Sequence, residues 1–187
     1  MIIIETDRLI LRNWCDEDRP TMHRLNSDEA VMEYFPFRRN RIESDLMMET
    51  VRNKITAKGY GWSAVELKQT NEVVGFAGIS DFTSDVPFAP AVEIGWRFLP
   101  EHWGNGYATE AAWAWLDHAF TNLGIEKIVS FAVGDNTGST AVMKRLGMRH
   151  YPDMDFDHPS VSDDYPSLKH HVLYSISAQE FQGAKSQ

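Results

Sequence analysis

The hydrophobic pattern of the N-terminal part of the chain predicts one strand and two helices. Leu9 to Arg12 is a short apolar stretch typical of a strand, and Glu17 to Asn26 follows it with apolar residues at helical spacing. A second helix is predicted from Ser44, as its N-terminal cap, to about Lys58, where Gly59 can end it. The apolar residues expected on its buried face are Leu46, Met47, Val51 and Ile55.

The central part of the chain is rich in strand-like segments. Trp62 to Lys68 and Val73 to Phe82 are separated by the turn residues Gln69 to Glu72, which predicts an antiparallel hairpin. Val92 to Phe98 continues the sheet after a linker that prolines interrupt. The pattern therefore predicts a meander of strands.

A helical period replaces the strand pattern after this meander, from Ala108 to Asn122. Lys127 to Val133 then predicts a strand, Ser139 to Leu146 a short helix, and His170 to Ser177 a last strand. The intervening Tyr151 to Leu168 is a long loop rich in Asp, Pro and Ser, which is typical of a functional or mobile segment. The residues expected on the buried face of the long helix are Ala111, Ala112, Trp115, Leu116, Ala119 and Phe120.

The length and composition of the chain indicate how many domains it forms and where in the cell it is expected. The chain has 187 residues, 43% hydrophobic and 12% aromatic, which is enough to bury the core of a single domain. We expect that domain over residues 1–180, followed by a C-terminal tail at 181–187. Met1 to Arg12 has the pattern of neither a secretory signal nor a membrane span, so the cytoplasm is the expected location.

Charge narrows the classes of partner. The chain carries 18 basic and 27 acidic residues, a net charge of -9, which opposes a nucleic acid or an anionic membrane as the main partner. A cationic substrate such as an amine fits this balance better. His170 and His171 would point to opposite faces of a strand, so we expect no metal site. The protein is expected to be a monomer or a homodimer.

The segment from Phe98 to Thr109 is the first candidate for binding chemistry. Gly104 and Gly106 lead from a strand into a helix, so several backbone N–H groups can point at one place and bind an anion such as a pyrophosphate. Two other interpretations remain open for the loop alone: a tight turn, or a dinucleotide loop that lacks its last glycine. The absence of a Gly-Lys-Ser or Gly-Lys-Thr triplet speaks against a P-loop ATPase.

A second motif, Asn136 to Met148, gives the chain its resemblance to a known family. The glycine loop followed by a later Asn-led helix resembles the GNAT superfamily of N-acetyltransferases. Trp-Gly-x-Gly-Tyr-Ala-Thr-Glu-Ala, the Asn-x-x-Ser start and the opening Thr-x-Arg-Leu-x-Leu-Arg look like the branch of the ribosomal-protein N-terminal alanine and serine acetylases. The match runs from Glu5 to the final strand.

The resemblance implies an α+β fold and acetyl-CoA as co-substrate. The fold would be a mixed, mostly antiparallel, twisted sheet of about seven strands with flanking helices and a splayed central strand pair. The backbone of Trp96 and Phe98 would bind the pantetheine arm, Asn136 would hydrogen-bond it, and Ser139 would lie near the thioester sulfur. The pyrophosphate would be held by Gly104, Asn105, Gly106, Tyr107, Ala108 and Thr109.

Two residues depart from the family pattern. Trp103 stands where many members have Gln or Arg, so one side-chain contact to the cofactor is missing. Met143 stands where many have the tyrosine that protonates the leaving thiolate, and methionine cannot donate a proton. We therefore assign the acid role to Ser139 or to water.

The general base has two candidates. Glu93 opens the strand that leads into the glycine loop, although a carboxylate at a strand end can also be purely structural. His158, in the long loop with Asp157, is the second candidate for base or substrate contact, although a surface histidine is the simpler interpretation.

The leading hypothesis is an acetyl-CoA-dependent N-acetyltransferase that moves the acetyl group directly to a primary amine, on a protein N-terminus or a small molecule. Because Met143 replaces the expected tyrosine, the alternative is a non-catalytic acyl-CoA-binding regulatory domain on the same fold. A NAD-binding oxidoreductase is the third hypothesis.

Overall fold

The computed structural model describes residues 1–185 and divides into two compact units. The first unit contains residues 1–80 and 95–115, and the second contains residues 81–94 and the chain from 116 onwards. The strands are β1 (Ile2–Glu5), β2 (Leu9–Arg12), β3 (Trp62–Leu67), β4 (Val73–Phe82), β5 (Ala91–Phe98), β6 (Lys127–Val133), β7 (Arg149–His150), β8 (Phe156–Asp157) and β9 (His170–Ser177). The α-helices are α1 (Arg19–Ser27), α2 (Arg41–Lys58), α3 (Tyr107–Thr121), α4 (Thr137–Arg145), α5 (Pro166–Lys169) and α6 (Ala178–Lys185).

The sheet of the first unit is an antiparallel meander, as the central sequence pattern predicts. Strands β1, β2, β3 and β4 follow one another in sheet order, and each pairs antiparallel with the next. The alternation of buried Leu9 and Leu11 with partly exposed Ile10 and Arg12 gives β2 one face in the core. Strand β1 is an addition to the prediction, because its run of isoleucines has no polar alternation that would mark a strand.

Helix α2 begins earlier than predicted. The cap is Asn40, whose side chain accepts a hydrogen bond from the Glu43 backbone N–H at 3.0 Å, while the Glu43 carboxylate accepts one from the Asn40 N–H at 2.8 Å. Ser44 lies inside the helix and is buried. The predicted buried position of Leu46 is wrong, because that side chain is 63% exposed and Met48 occupies the core instead.

The buried stripe predicted for α3 is confirmed. All six of its expected residues are buried, and Trp115 is fully buried with a polar partner. Its indole N–H donates to the Ser63 hydroxyl of β3 at 3.1 Å, and that hydroxyl donates to the Ala77 carbonyl of β4 at 2.7 Å. The first unit thus connects its helix to two strands through a buried hydroxyl.

The second unit contains a parallel strand pair. Strand β5 pairs in parallel with β6 at only two positions, Val92 with Ile128 and Glu93 with Val129. One residue further on, the Ser130 hydroxyl donates to the Ile94 carbonyl at 2.9 Å in place of a backbone bond. On its other side, β6 pairs antiparallel with β9 along its whole length, and β7 and β8 also pair with β9.

The predicted fold class is confirmed: the sheet is mixed and mostly antiparallel. It has nine strands within the described residues, and the strands that were not predicted are β1 and the two-residue β7 and β8.

The predicted tail boundary at residue 181 falls inside α6, where Phe181 is buried. Residues 186–187 of that tail lie outside the described residues. No helix of the described chain is long and apolar enough to cross a membrane.

We expect Ser63→Ala to lower the free energy of unfolding by about 1–3 kcal/mol, because it leaves the buried indole N–H of Trp115 without this acceptor. Urea unfolding of Ser63→Ala, Trp115→Phe and the double variant measures the effect. The double variant should lose less than the sum of the two single losses, because both changes remove the same hydrogen bond. Strictly additive losses would contradict the proposed coupling.

Candidate active site

The glycine corner of the first unit lies where the loop after β5 enters α3. Gly104 and Gly106 have φ values of +77° and +80°, and a β-carbon at either position would meet no atom closer than 3.6 Å. Glycine is therefore favoured here by backbone conformation rather than by crowding. The hydrogen bond from the Glu110 N–H to the Gly106 carbonyl, at 3.0 Å, opens the ladder of α3. The earlier N–H groups of the helix have no acceptor in a preceding turn, and they belong to Tyr107, Ala108 and Thr109.

The side chains of the corner hold the loop itself. The amide of Asn105 donates to the carbonyls of His102 and Trp103 at 3.1 and 3.2 Å. The indole N–H of Trp103 donates to the Phe98 carbonyl at 2.8 Å. Asn105 therefore has its backbone N–H, rather than its side chain, to offer a ligand. Trp103, at the position of the family's Gln or Arg, connects the loop to the end of β5.

The sequence prediction missed a basic residue at this corner, Arg8. Its Nε donates to the Glu110 carboxylate at 2.6 Å, and its Nη1 donates to the Asn105 carbonyl at 3.0 Å. Its guanidinium carbon lies 4.8 Å from the centre of the Tyr107 ring. Half of the Arg8 side chain is exposed, so its charge adds to the positive end of α3.

Thr6 completes this arrangement. Its hydroxyl donates to Glu110 at 2.6 Å, and the backbone N–H of Arg8 donates to the same carboxylate at 3.1 Å. Thr6 and Arg8 of the opening Thr-x-Arg motif therefore bind Glu110 of the glycine loop motif directly. Burial raises the pKa of the Glu110 carboxyl, but the hydrogen bonds from Thr6 and Arg8 outweigh burial and hold that pKa below its usual value.

The C-terminal part of β5 lies close to β4 in the first unit. A β-carbon on Gly75 would be 2.4 Å from the Arg97 carbonyl and 2.8 Å from the Phe98 ring, so only glycine fits there. Phe98 is buried and Trp96 is partly exposed. The Phe98 carbonyl accepts a hydrogen bond from the Trp103 indole N–H.

In the second unit, Asn136 caps α4. Its side-chain oxygen accepts a hydrogen bond from the Ser139 N–H at 3.0 Å, which leaves its amide nitrogen as a donor. Ser139 and Met143 are four residues apart and thus share a face of α4. Met143 is buried, so the helix offers no proton donor at that position.

Glu93 lies at the second of the two paired positions of β5 and β6, directly before the parallel pairing stops. It is partly exposed. This position at the end of the pairing is consistent with its predicted role as general base, which stays a prediction.

The long loop brings His158 to an aromatic cluster in the second unit. The members of the aromatic cluster are Phe82, Phe88, Phe131, Phe156, His158 and His171, with neighbouring ring centres 4.9–6.3 Å apart. The apolar surroundings lower the pKa of both histidines, mainly through burial. Both imidazoles are therefore neutral at physiological pH.

The two histidines differ in which nitrogen carries the proton. The Ser160 backbone N–H donates to Nδ1 of His158 at 3.2 Å, so the neutral ring carries its proton on Nε2. Nδ1 of His171 lies 2.9 Å from the Lys169 carbonyl and must donate to it, which leaves the lone pair on Nε2. His158 thus presents an Nε2–H donor and His171 an Nε2 lone pair, and the role of His158 as base or substrate contact stays a prediction.

We expect Glu110→Gln to destabilise the protein at neutral pH and to have little effect in acid. The folded-state pKa of Glu110 lies below its unfolded value, so its contribution is present above about pH 4.3 and is lost as the pH falls through the folded-state pKa. Unfolding of both proteins in urea between pH 7 and pH 3 measures the difference. Glu29→Gln is the matched control, because Glu29 is exposed. A difference that stays constant with pH would contradict the expectation.

Comparisons with known proteins agree with this fold and these motifs. A family model described as acetyltransferase (GNAT) domain matches residues 8–149. The uncharacterised N-acetyltransferase YoaA of Bacillus subtilis is 31% identical over 150 residues, 79% of this chain and 82% of YoaA. Among solved structures, a GNAT-family acetyltransferase from Bacillus anthracis has a TM-score of 0.78 at 25% identity and covers 96% of this chain and 99% of its own.

The fold is also shared with RimL, a ribosomal L7/L12 α-N-protein acetyltransferase solved in complex with coenzyme A. Its TM-score is 0.74 at 19% identity, covering 95% of this chain and 98% of RimL, a likeness that shows the fold alone. The family match and the YoaA relationship go further, because they extend over most of the chain. The protein is therefore an acyltransferase and belongs to the GNAT acetyltransferase family.

Proposed function

We propose that the protein transfers the acetyl group of acetyl-CoA directly to a primary amine, on a protein N-terminus or a small molecule. The observation that carries the proposal is the glycine corner, where the first N–H groups of α3 lie beside the half-exposed guanidinium of Arg8. Backbone donors at a helix N-terminus together with a cation suit a pyrophosphate. The coenzyme A bound to RimL, which has the same fold, supports this choice of cofactor.

The remaining cofactor contacts follow the strand and the second motif. The backbone of Trp96 and the N–H of Phe98 would hydrogen-bond the pantetheine amides as an added strand does. In the second unit, the amide nitrogen of Asn136 would be a donor to a bound cofactor, while its oxygen continues to cap α4.

In the transfer step, the amine nitrogen forms a bond to the acetyl carbon, the carbon–sulfur bond breaks, and coenzyme A leaves as a thiolate. Glu93, through a water molecule, would take the proton that the amine loses. An ordinary thiol has a pKa of about 8.5, so a thiolate can leave without a strong acid. A hydrogen bond from Ser139 or water would therefore be sufficient where Met143 replaces the tyrosine of the family.

The acceptor on a protein N-terminus is the finer part of the proposal. It is supported by the opening Thr-x-Arg-Leu-x-Leu-Arg, in which Arg8 touches the glycine corner. The shared fold with RimL is compatible with it. A small amine is the other acceptor, and the acceptor panel below separates the two.

The deciding experiment is a thiol-release assay with acetyl-CoA against a panel of small amines and peptides with free N-termini. A parallel thermal-shift titration with acetyl-CoA measures cofactor binding. We expect both a thermal shift and release of coenzyme A with one class of amine. A shift without turnover on any acceptor would instead indicate an acyl-CoA-binding domain, and a response to NADH without one to coenzyme A would overturn the cofactor assignment.

We expect Ser139→Ala to lower kcat by about 10- to 100-fold with little change in acetyl-CoA affinity, because it removes a hydrogen bond to the leaving sulfur. Thr140→Ala is the matched control, since the Thr140 hydroxyl donates to the Thr137 carbonyl one turn back. Steady-state rates at saturating acetyl-CoA give the comparison. A Ser139→Ala rate within about twofold of the wild type would leave water as the proton source.

A further inference from the structure

One arginine of the first unit is enclosed without an acidic partner. Nη1 of Arg97, in β5, donates to the side-chain oxygen of Asn26 at 2.6 Å and to the Leu25 carbonyl at 3.3 Å. Its guanidinium carbon lies 4.4 Å from the ring centre of Phe35 and 5.1 Å from that of Phe76. The guanidinium is thus held between two aromatic rings by neutral acceptors only.

The other arginines of the first unit show how unusual this is. Arg38 donates to three backbone carbonyls. Within residues 1–185, no Asp or Glu forms an ion pair with Arg97 or with its neighbour Arg39. The arginines of this unit that do pair with a carboxylate are Arg8, Arg12, Arg19, Arg24, Arg41 and Arg52.

Arg39 adds a second cation to the same place. Its backbone N–H donates to the Asn26 carbonyl at 2.9 Å, and its guanidinium carbon lies 4.8 Å from the Phe37 ring centre. Burial, and then the charge of Arg39, lower the pKa of Arg97 to about 10. Arg97 therefore remains a cation at neutral pH, repelled by Arg39, and an anion bound to Arg97 would offset both the burial of its charge and this repulsion.

The position of the Arg97 guanidinium is fixed by a buried asparagine. Asn26 is fully buried, and its amide donates to the Met22 carbonyl at 3.0 Å, which fixes the oxygen that holds Arg97. Nε and Nη2 of Arg97 have no acceptor among the described residues, and two neighbouring donors of this kind match the two oxygens of a carboxylate. Arg97 as a whole residue is partly exposed.

We propose that Arg97, assisted by Arg39, binds a carboxylate of the acceptor molecule and so selects amines that also carry a negative charge. The inference rests on the proposed acetyl transfer and adds its substrate class. Side chains alternate along a strand, so the Arg97 side chain leaves β5 on the face opposite to those of Trp96 and Phe98. The carboxylate could belong to a small amino acid or to an acidic residue of a peptide.

Matched acceptor pairs test the inference and separate these two sources. Alanine is compared with alaninamide, and the dipeptide amide Ala-Glu-NH2 with Ala-Gln-NH2, so that each pair exchanges one carboxylate for an uncharged amide, and the first pair is compared at equal concentrations of neutral amine. We expect kcat/KM to favour the carboxylate member of at least one pair by about 10- to 100-fold, the range for hydrogen bonds to a charged group. Equal values within both pairs would overturn the inference.

Variants assign the preference to Arg97. Arg97→Met should abolish the preference, and Arg97→Lys should restore part of it. Arg39→Gln should weaken it. Arg38→Gln is the matched control, because Arg38 already donates to protein carbonyls. If Arg97→Met does not fold, as its melting temperature will show, Arg97→Lys and Arg39→Gln still decide the question, and an unchanged preference in both would refute the assignment.

Calorimetry makes failure of this inference distinguishable from failure of the proposed function. The same four acceptors are titrated into the protein saturated with coenzyme A. Tighter binding of a carboxylate member that is lost in Arg97→Met supports the anion site even if no acetyl transfer occurs. Weaker binding of coenzyme A itself by Arg97→Met, but not of dephospho-coenzyme A, would assign Arg97 to the cofactor phosphate and overturn the inference.

Discussion

The Glu110 carboxylate in the first turn of α3 is the contact on which the proposed anion-binding corner depends. A carboxylate near a helix N-terminus is favourable in itself, but it would also compete with a bound anion for the same backbone donors. Thr6 and Arg8 prevent this competition, because together they donate three hydrogen bonds of 2.6–3.1 Å to Glu110. The backbone N–H groups of the residues before Glu110 remain directed at the corner. Nη1 of Arg8 donates a further hydrogen bond to the Asn105 carbonyl.

This arrangement explains why the family motif can vary at Trp103. A pyrophosphate bound by backbone N–H groups needs the glycine conformations at 104 and 106 more than it needs any one side chain. The Trp103 indole instead donates a hydrogen bond to the Phe98 carbonyl. The positively charged side chain beside Tyr107 is that of Arg8, which is distant in sequence. Loss of the tyrosine at Met143 is tolerable for a comparable reason, since a thiolate is a better leaving group than an amine.

Elements with a strong period could be predicted from the sequence, while contacts distant in sequence could not. The stripe of α3 and the β3–β4 hairpin follow directly from residue spacing. Asn40 was missed as the cap of α2 because Ser44 is also a good capping residue, and only tertiary packing shows that Ser44 is buried one turn inside. Arg8 was present in the opening motif, but its partner is 102 residues away. The proton positions on His158 and His171 depend on backbone groups that no sequence pattern reports.

The surroundings of Arg97 could not be predicted from the net charge of the whole chain. The net charge of -9 favours a cationic acceptor, yet Arg97 and Arg39 form no ion pair with an Asp or Glu of residues 1–185. At physiological ionic strength exposed charges more than about 8 Å away are largely screened, so the unpaired arginines determine what binds beside them. The carboxylate of an acceptor that carries both an amine and a carboxylate would therefore respond to Arg97 and Arg39 beside it rather than to the net charge of the whole chain.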